Sequence, residues 1–158
     1  MANSIDLKDY AARKGHAVGT SRWFIIDQKR INEFAEITED WQFIHVDPEK
    51  AADTPFRGTV AHGSLTLSML VAMAIDALPE LNGRTMGVNY GFDKIRFVTP
   101  VPSGCKVRAH FKLVDVIQRG PKEFLTKSEV SVEIEGIEKP AVIAEWLGVS
   151  YFSYPVEI

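Results

Sequence analysis

The segment that most constrains this chain runs from Ser64 to Leu78. Leu65, Leu67, Met69, Leu70, Val71, Met73, Ala74 and Ile75 leave it almost no polar face. A helix that is apolar all round belongs in the middle of something. Thr66, Ser68 and Asp76 interrupt the run, and it falls short of the roughly 20 apolar residues that span a bilayer. It therefore predicts a helix buried in protein, and no membrane is expected as a partner. Pro79 and Asn82-Gly83 mark its end.

The rest of the sequence must cover that helix. Residues 84–98, 105–118, 123–135 and 140–153 read as strands. Val107, Ala109, Phe111 and Leu113 alternate with Arg108, His110 and Lys112, and Val130, Val132 and Ile134 alternate with Glu129, Ser131, Glu133 and Glu135. Gln118–Lys122 and Glu135–Lys139 have the composition of turns between antiparallel strands. Ahead of the apolar segment, Ser21–Ile26 predicts a first strand. Asp27 is placed to cap a helix that carries Ile31, Phe34, Ala35 and Thr38 at helical spacing. The run from Glu39 to Val46 breaks that period and reads as a loop. Asp47-Pro48-Glu49 restarts a helix, with Asp47 as cap and Pro48 at the first helical position, and Thr54–Thr59 is loop again.

Helices and strands are thus segregated along the chain, the pattern of an α+β fold in which one sheet wraps one helix. No repeat, low-complexity tract or Pro/Gly/Ser linker divides the sequence. A single domain over residues 1–158 is expected, with its core at about 15–152.

A length of 158 residues suits one substantial core. The net charge of -3 and the pI near 5.8 supply no basic footprint, so nucleic acid is not an expected partner. An anionic small ligand stays open, because a few local Lys or Arg residues suffice for a phosphate. The single cysteine, Cys105, cannot form an internal disulfide, which fits a reducing cytoplasm. Ser103-Gly104-Cys105-Lys106-Val107 reads as a turn entering a strand, with Cys105 a small buried side chain. The N-terminal stretch MANSIDLKDYAARKGH lacks a secretory pattern, and a cytoplasmic location is expected.

Two groups carry chemistry. In Asp40-Trp41-Gln42-Phe43-Ile44-His45 a carboxylate and an imidazole lie in one loop, able to share a water if the loop turns between them. Spacing alone is weak evidence, since such pairs are often solvated loop residues. The second group is Ala61-His62-Gly63-Ser64, entering the apolar helix. Glycine lets a ligand approach the backbone, and the unpaired N–H groups of a helix start favour a developing oxyanion. Ser64 or Gly63 would be the N-cap, and His62 reads as structural rather than catalytic. The four histidines stand apart in sequence at 16, 45, 62 and 110, so no metal ligand set is expected.

Taken in order, Asp40-Trp41-Gln42-Phe43-Ile44-His45-Val46-Asp47-Pro48 and Ala61-His62-Gly63 resemble the MaoC-like dehydratase and R-specific enoyl-CoA hydratase family, nearest to its nodulation-protein-N-like branch. Met86–Gly91, Lys94–Phe97, Pro100-Val101-Pro102 and Lys139-Pro140-Ala141…Ala144-Glu145-Trp146 extend the likeness over roughly residues 15–152. The resemblance implies a hot-dog fold, a long curved sheet around a central helix. It implies Asp40 and His45 as the catalytic pair, and Gly63 as the residue whose N–H polarises a thioester carbonyl. Typical members carry Gly-Asp-x-Asn-Pro-x-His, whereas this chain has Glu39, Gln42 and Phe43 at the Gly, Asn and Pro positions. Gln42 keeps an amide expected to orient His45 and to border the substrate. A Ser found further along the helix in some hydratases falls at Val71. These departures bear on acyl-chain preference.

The expected reaction is reversible addition of water to a trans-2-enoyl thioester of CoA or acyl carrier protein, giving the R-3-hydroxyacyl product without a cofactor. Which of Asp40 and His45 takes the proton is left open by the sequence. A hot-dog thioesterase and a non-catalytic acyl-thioester binding module are the alternatives. Family resemblance and a long unpaired strand edge imply a homodimer. Two arrangements stay open, one with the Gly63 helix start supplied by the partner subunit and one with the whole site inside one chain.

Overall fold

The computed structural model describes residues 4–158. Met1 to Asn3, the first part of the N-terminal stretch read above, lie outside the described residues. In chain order the elements are β1 (Ser4–Ile5), α1 (Leu7–Ala11), β2 (Ala17–Thr20), β3 (Phe24–Ile26), α2 (Gln28–Thr38), α3 (Phe43–Val46), α4 (Pro48–Ala52), α5 (Gly63–Ser68), α6 (Leu70–Ala77), β4 (Glu80–Leu81), β5 (Arg84–Phe97), β6 (Cys105–Gly120), β7 (Glu123–Ile134) and β8 (Ile137–Phe152).

The four long strands form where alternation predicts them. Their antiparallel sheet has the order β2-β6-β7-β8-β5, with β3 also on β6. Val107, Ala109, Phe111 and Leu113 are buried, as are Val130, Val132 and Ile134 on the neighbouring strand. These side chains form the inner face, and the expected α+β arrangement is present. The second turn is tighter than the sequence suggests. Ile134 pairs with Ile137, so only Glu135 and Gly136 remain outside the strands, and Gly136 takes a φ of 77° that glycine tolerates.

Asp27 and Asp47 act as caps, accepting hydrogen bonds from the backbone N–H groups of Arg30 at 2.9 Å and Lys50 at 3.1 Å. The loop expected over Glu39–Val46 contains one helical turn, α3, too short to leave a periodic signal. The strand expected over Ser21–Ile26 is confined to β3, and a further strand, β2, precedes it. Both pair with β6, and between them Ser21 exchanges two bonds with Ala109, one through its N–H and one through its hydroxyl.

Three expectations need correction. The core begins before residue 15: Leu7 and Tyr10 are buried, and β1 pairs with β4. His62 rather than Ser64 or Gly63 stands at the N-cap position of the apolar helix, without a side-chain cap bond, and the helix is interrupted at Met69. It is also not buried all round. Leu65, Leu70 and Met73 pack on the sheet, while Val71 is 46% and Ile75 79% exposed. One sheet can cover only one side of a helix, and among the described residues of the single chain nothing covers Val71 and Ile75 on the other.

Gly19 fixes how close β2 comes to α6. A Cβ at this position would overlap the carbonyl oxygen of Ala77 and lie 3.2 Å from the Ala77 side chain. Gly19→Ala must therefore push a strand away from a helix backbone. It is expected to lower unfolding stability by about 1–3 kcal/mol, the usual cost of overpacking. Gly58→Ala, where an added Cβ meets nothing within 4 Å, should change stability little. Denaturant unfolding of the two variants checks this.

Candidate active site

The site is assembled from three stretches that converge at the start of the central helix. Gln28, in the first turn of α2, donates from its side-chain amide to the main-chain oxygen of His45 at 2.7 Å, and its other amide atom accepts from Thr59 at 2.6 Å. Ile44 accepts from the N–H of Val60 at 3.0 Å, tying α3 to the segment ahead of Gly63. Asp40 lies at the exposed edge of this construction, and His45 and His62 lie beneath it, 7% and 2% exposed.

The rings of His45 and His62 are stacked, with centroids 3.8 Å apart and planes at 25°. One ligating atom from each of Asp40, His45 and His62 lies within 4.8 Å of those of the other two. The expected pairing of Asp40 with His45 is thus geometrically available. The histidines do not all stand apart as their sequence positions suggested, because two of the four meet here.

Bonds to main-chain carbonyls set the tautomers of the two rings. His45 Nδ1 lies 2.7 Å from the Val60 carbonyl oxygen, which can only accept, so Nδ1 carries the proton and Nε2 holds the lone pair in the neutral ring. His62 Nε2 lies 3.0 Å from the Asp40 main-chain oxygen and is likewise the donor. Its Nδ1 is buried without a partner among the described residues. Burial pushes the His45 pKa below its ordinary value of 6.5, and the neighbouring His62 acts in the same direction. The Val60 carbonyl and the Asp40 carboxylate oppose them without prevailing.

Gly63 follows His62 directly, so the start of α5 stands beside His45 of the same chain. Of the two arrangements that the sequence leaves open, the His45–His62 stacking favours the one within a subunit, because it ties the two segments together in one chain. Its N–H is among those that a helix cannot satisfy internally. A Cβ on Gly63 would fall 2.8 Å from the Phe97 ring, so the glycine also allows a close approach. The side-chain amide of Gln42 does not orient His45. Its main-chain oxygen accepts from His45 N–H at 2.9 Å, its N–H donates to Asp40 Oδ1 at 3.4 Å, and it is Val60 that orients the His45 ring. Gln28, Val60 and His62 were missed as parts of the site. Only His62 left a signal, its place beside the glycine.

A groove of about 450 Å³ runs between α6 and the sheet, lined by Val71, Ala74, Ile75, Leu78, Val88 and Trp146 among others. It follows the same helix that begins at Gly63. A hollow of about 480 Å³ on the outer face is lined by Lys94, Lys112, Glu129 and Glu145, whose charges already pair.

Residues 9–134 match the family model for the MaoC-like domain. The chain is 45% identical over 152 residues to nodulation protein N of Rhizobium meliloti (strain 1021), covering 96% of this chain and 94% of that one. It is 44% identical over 137 residues to 3-hydroxyacyl-thioester dehydratase Z of Mycobacterium tuberculosis, covering 87% and 90%. The MaoC-like dehydratase from Rhodospirillum rubrum superposes with a TM-score of 0.77 at 17% identity, over 96% of this chain and 99% of that one. The fold is therefore the hot-dog fold. No described helix is long and apolar enough to cross a membrane.

The lowered pKa of His45 carries a sign. In the unfolded chain a histidine binds its proton near pH 6.5, and in the folded protein His45 binds it only at lower pH. The stability linked to this group is complete above the unfolded value and is lost as pH falls through the folded one. Histidine NMR should find His45 neutral at pH 7 with the proton on Nδ1, titrating below 6.5. A midpoint above that value, or a proton on Nε2, contradicts the site geometry.

Proposed function

Since the chain belongs to the MaoC-like dehydratase family, a family of hydratases and dehydratases, we propose that it adds water reversibly to trans-2-enoyl thioesters to give R-3-hydroxyacyl thioesters. The observation that carries this reading is a neutral His45 with its Nε2 lone pair free beside the Asp40 carboxylate, at the helix start that presents the Gly63 N–H.

Hydration needs a base for water, a proton for Cα and a donor for the enolate oxygen. A water held between Asp40 and His45 gives one proton to His45 Nε2 as its oxygen attacks Cβ. The π electrons move toward the thioester, and the negative charge on its oxygen is met by Gly63 N–H. The imidazolium then returns its proton to Cα. One water has been added and His45 is neutral again. Delivery of both atoms from one side of the substrate agrees with a single defined product configuration. Asp40 orients the water and offsets the transient charge on His45.

The groove along α6 has the size of an acyl-chain site and a mostly apolar helical wall. The name of the mycobacterial relative, a 3-hydroxyacyl-thioester dehydratase, supports the substrate class. The thioester is proposed to be that of CoA or acyl carrier protein. Gln42, at the exposed edge, is proposed to border it. The whole chain is proposed to act as one domain in the cytoplasm, where its single cysteine stays reduced.

We assign the uncovered face to a second copy of the chain. β5 pairs with β8 on one side only, and Met86, Val88 and Tyr90 on it are exposed, as are Val71 and Ile75 on the helix nearby. Pairing of two β5 edges around a two-fold axis would cover both. Sedimentation should give a dimer, and Ile75→Glu should shift it toward monomer. A wild-type monomer at micromolar concentration overturns this assignment.

Asp40→Asn and His45→Gln should each keep the fold and lower hydration at least ~10²-fold, the scale for loss of an acid–base group. Crotonyl-CoA and longer enoyl-CoAs, followed by enoyl absorbance and by free thiol, provide the assay. Thiol release without hydration would make the protein a thioesterase, and near-wild-type turnover in either variant removes the pair from the mechanism. A mainly S product refutes the stereochemical assignment.

A further inference from the structure

We propose that His62 is a positioning residue for the catalytic pair, holding the Asp40 segment by a hydrogen bond while its stacked ring keeps His45 oriented and out of water. For its effect on turnover this rests on the hydratase reading, whereas its effect on His45 itself does not.

Three observations converge on this side chain. It is 2% exposed, so it costs desolvation and must be retained by specific contacts. Its Nε2–H donates to the main-chain oxygen of Asp40 across 22 positions of sequence, fixing the residue whose carboxylate faces the site. Its ring lies flat on His45 at 3.8 Å and against Phe34 at 5.0 Å. A ring whose only purpose was packing would need neither nitrogen, and phenylalanine would fill the space without burying an unpartnered Nδ1.

The groups that face His62 are His45 from α3, Phe34 from α2 and Asp40 from the turn after α2. Stacking and hydrogen bonding thus divide two tasks. The ring excludes water from one face of His45, and the N–H sets where Asp40 stands.

Two substitutions separate these tasks. His62→Gln keeps a donor that can reach the Asp40 oxygen but removes the ring. His62→Phe keeps a ring of similar shape but removes the donor. Each is measured for unfolding stability, for kcat and KM per folded protein with crotonyl-CoA, and for the His45 titration by NMR. With His62→Phe, kcat should fall about 10- to 100-fold while KM changes little, the scale for a misplaced catalytic group. With His62→Gln, kcat should be partly restored, and the His45 midpoint should move upward as water reaches the ring. A purely structural His62 would lower stability in both variants and leave kcat per folded protein and the His45 midpoint unmoved. That result overturns the proposal. Should the wild-type protein hydrate none of the enoyl thioesters, the functional reading fails on its own, and the His45 midpoint in His62→Gln still decides: an upward shift supports the positioning role, and no shift refutes it.

Discussion

One face of the helix from Gly63 to Ala77 lies on the inner surface of the sheet, and the rest of the molecule is arranged around that contact. Leu65, Leu70 and Met73 meet Val107, Ala109, Phe111 and Leu113 in one core cluster. Each fully buried side chain of this kind contributes on the order of 1.5–3 kcal/mol relative to exposure. The contact also decides where chemistry can happen. A helix anchored along its length presents its first turn at a fixed place, and that turn follows His62 and begins with Gly63. The exposed Val71 and Ile75 follow from the same fact, because a helix gripped from one side leaves its other apolar side uncovered by that sheet.

The site is maintained by hydrogen bonds to main-chain oxygens more than by contacts between functional groups. Val60 selects the tautomer of His45, Gln28 holds the His45 backbone, and His62 holds the Asp40 backbone. None of these partners is a charge, so none stabilises the imidazolium strongly enough to overcome burial. A weakly basic imidazole gives up its proton readily, which suits the proposed return of a proton to carbon. The Asp40 carboxylate, at the exposed edge, stays accessible to water and substrate.

The long elements were legible in the sequence because their burial is periodic. β6 and β7 alternate cleanly, and the apolar segment could only be a central helix. What escaped had no periodic signature. α3 is a single turn, and α1 buries only Leu7 and Tyr10 from five residues. The convergence of His45 with His62 depends on a crossing of two loops that no spacing encodes. Asp40, His45 and Gly63 were read from their likeness to a known pattern. Gln28 was invisible because its role is to hold another residue's backbone. The capping aspartates needed no such help, since a cap acts on its own neighbours.

The departures from the family pattern have a common physical character. Glycine at position 39 would suit its φ of 59°, a left-handed conformation that costs an ordinary residue roughly 1–2 kcal/mol. Asparagine at 42 would suit the N-cap of α3, where Gln42 makes no side-chain cap bond. Proline at 43 would suit the first position of that helix. All three family residues favour a backbone of this shape between the carboxylate and the imidazole, which this chain forms with Glu39, Gln42 and Phe43. Local preference is therefore weaker here, and the turn must be held from outside. The bonds from Gln28 to His45, from Val60 to Ile44 and from His62 to Asp40 do this, each joining the turn to a different element. A site whose geometry depends on tertiary contacts is sensitive to residues that never touch substrate. On this view His62 matters more in this chain than in relatives whose turn residues already favour the required shape.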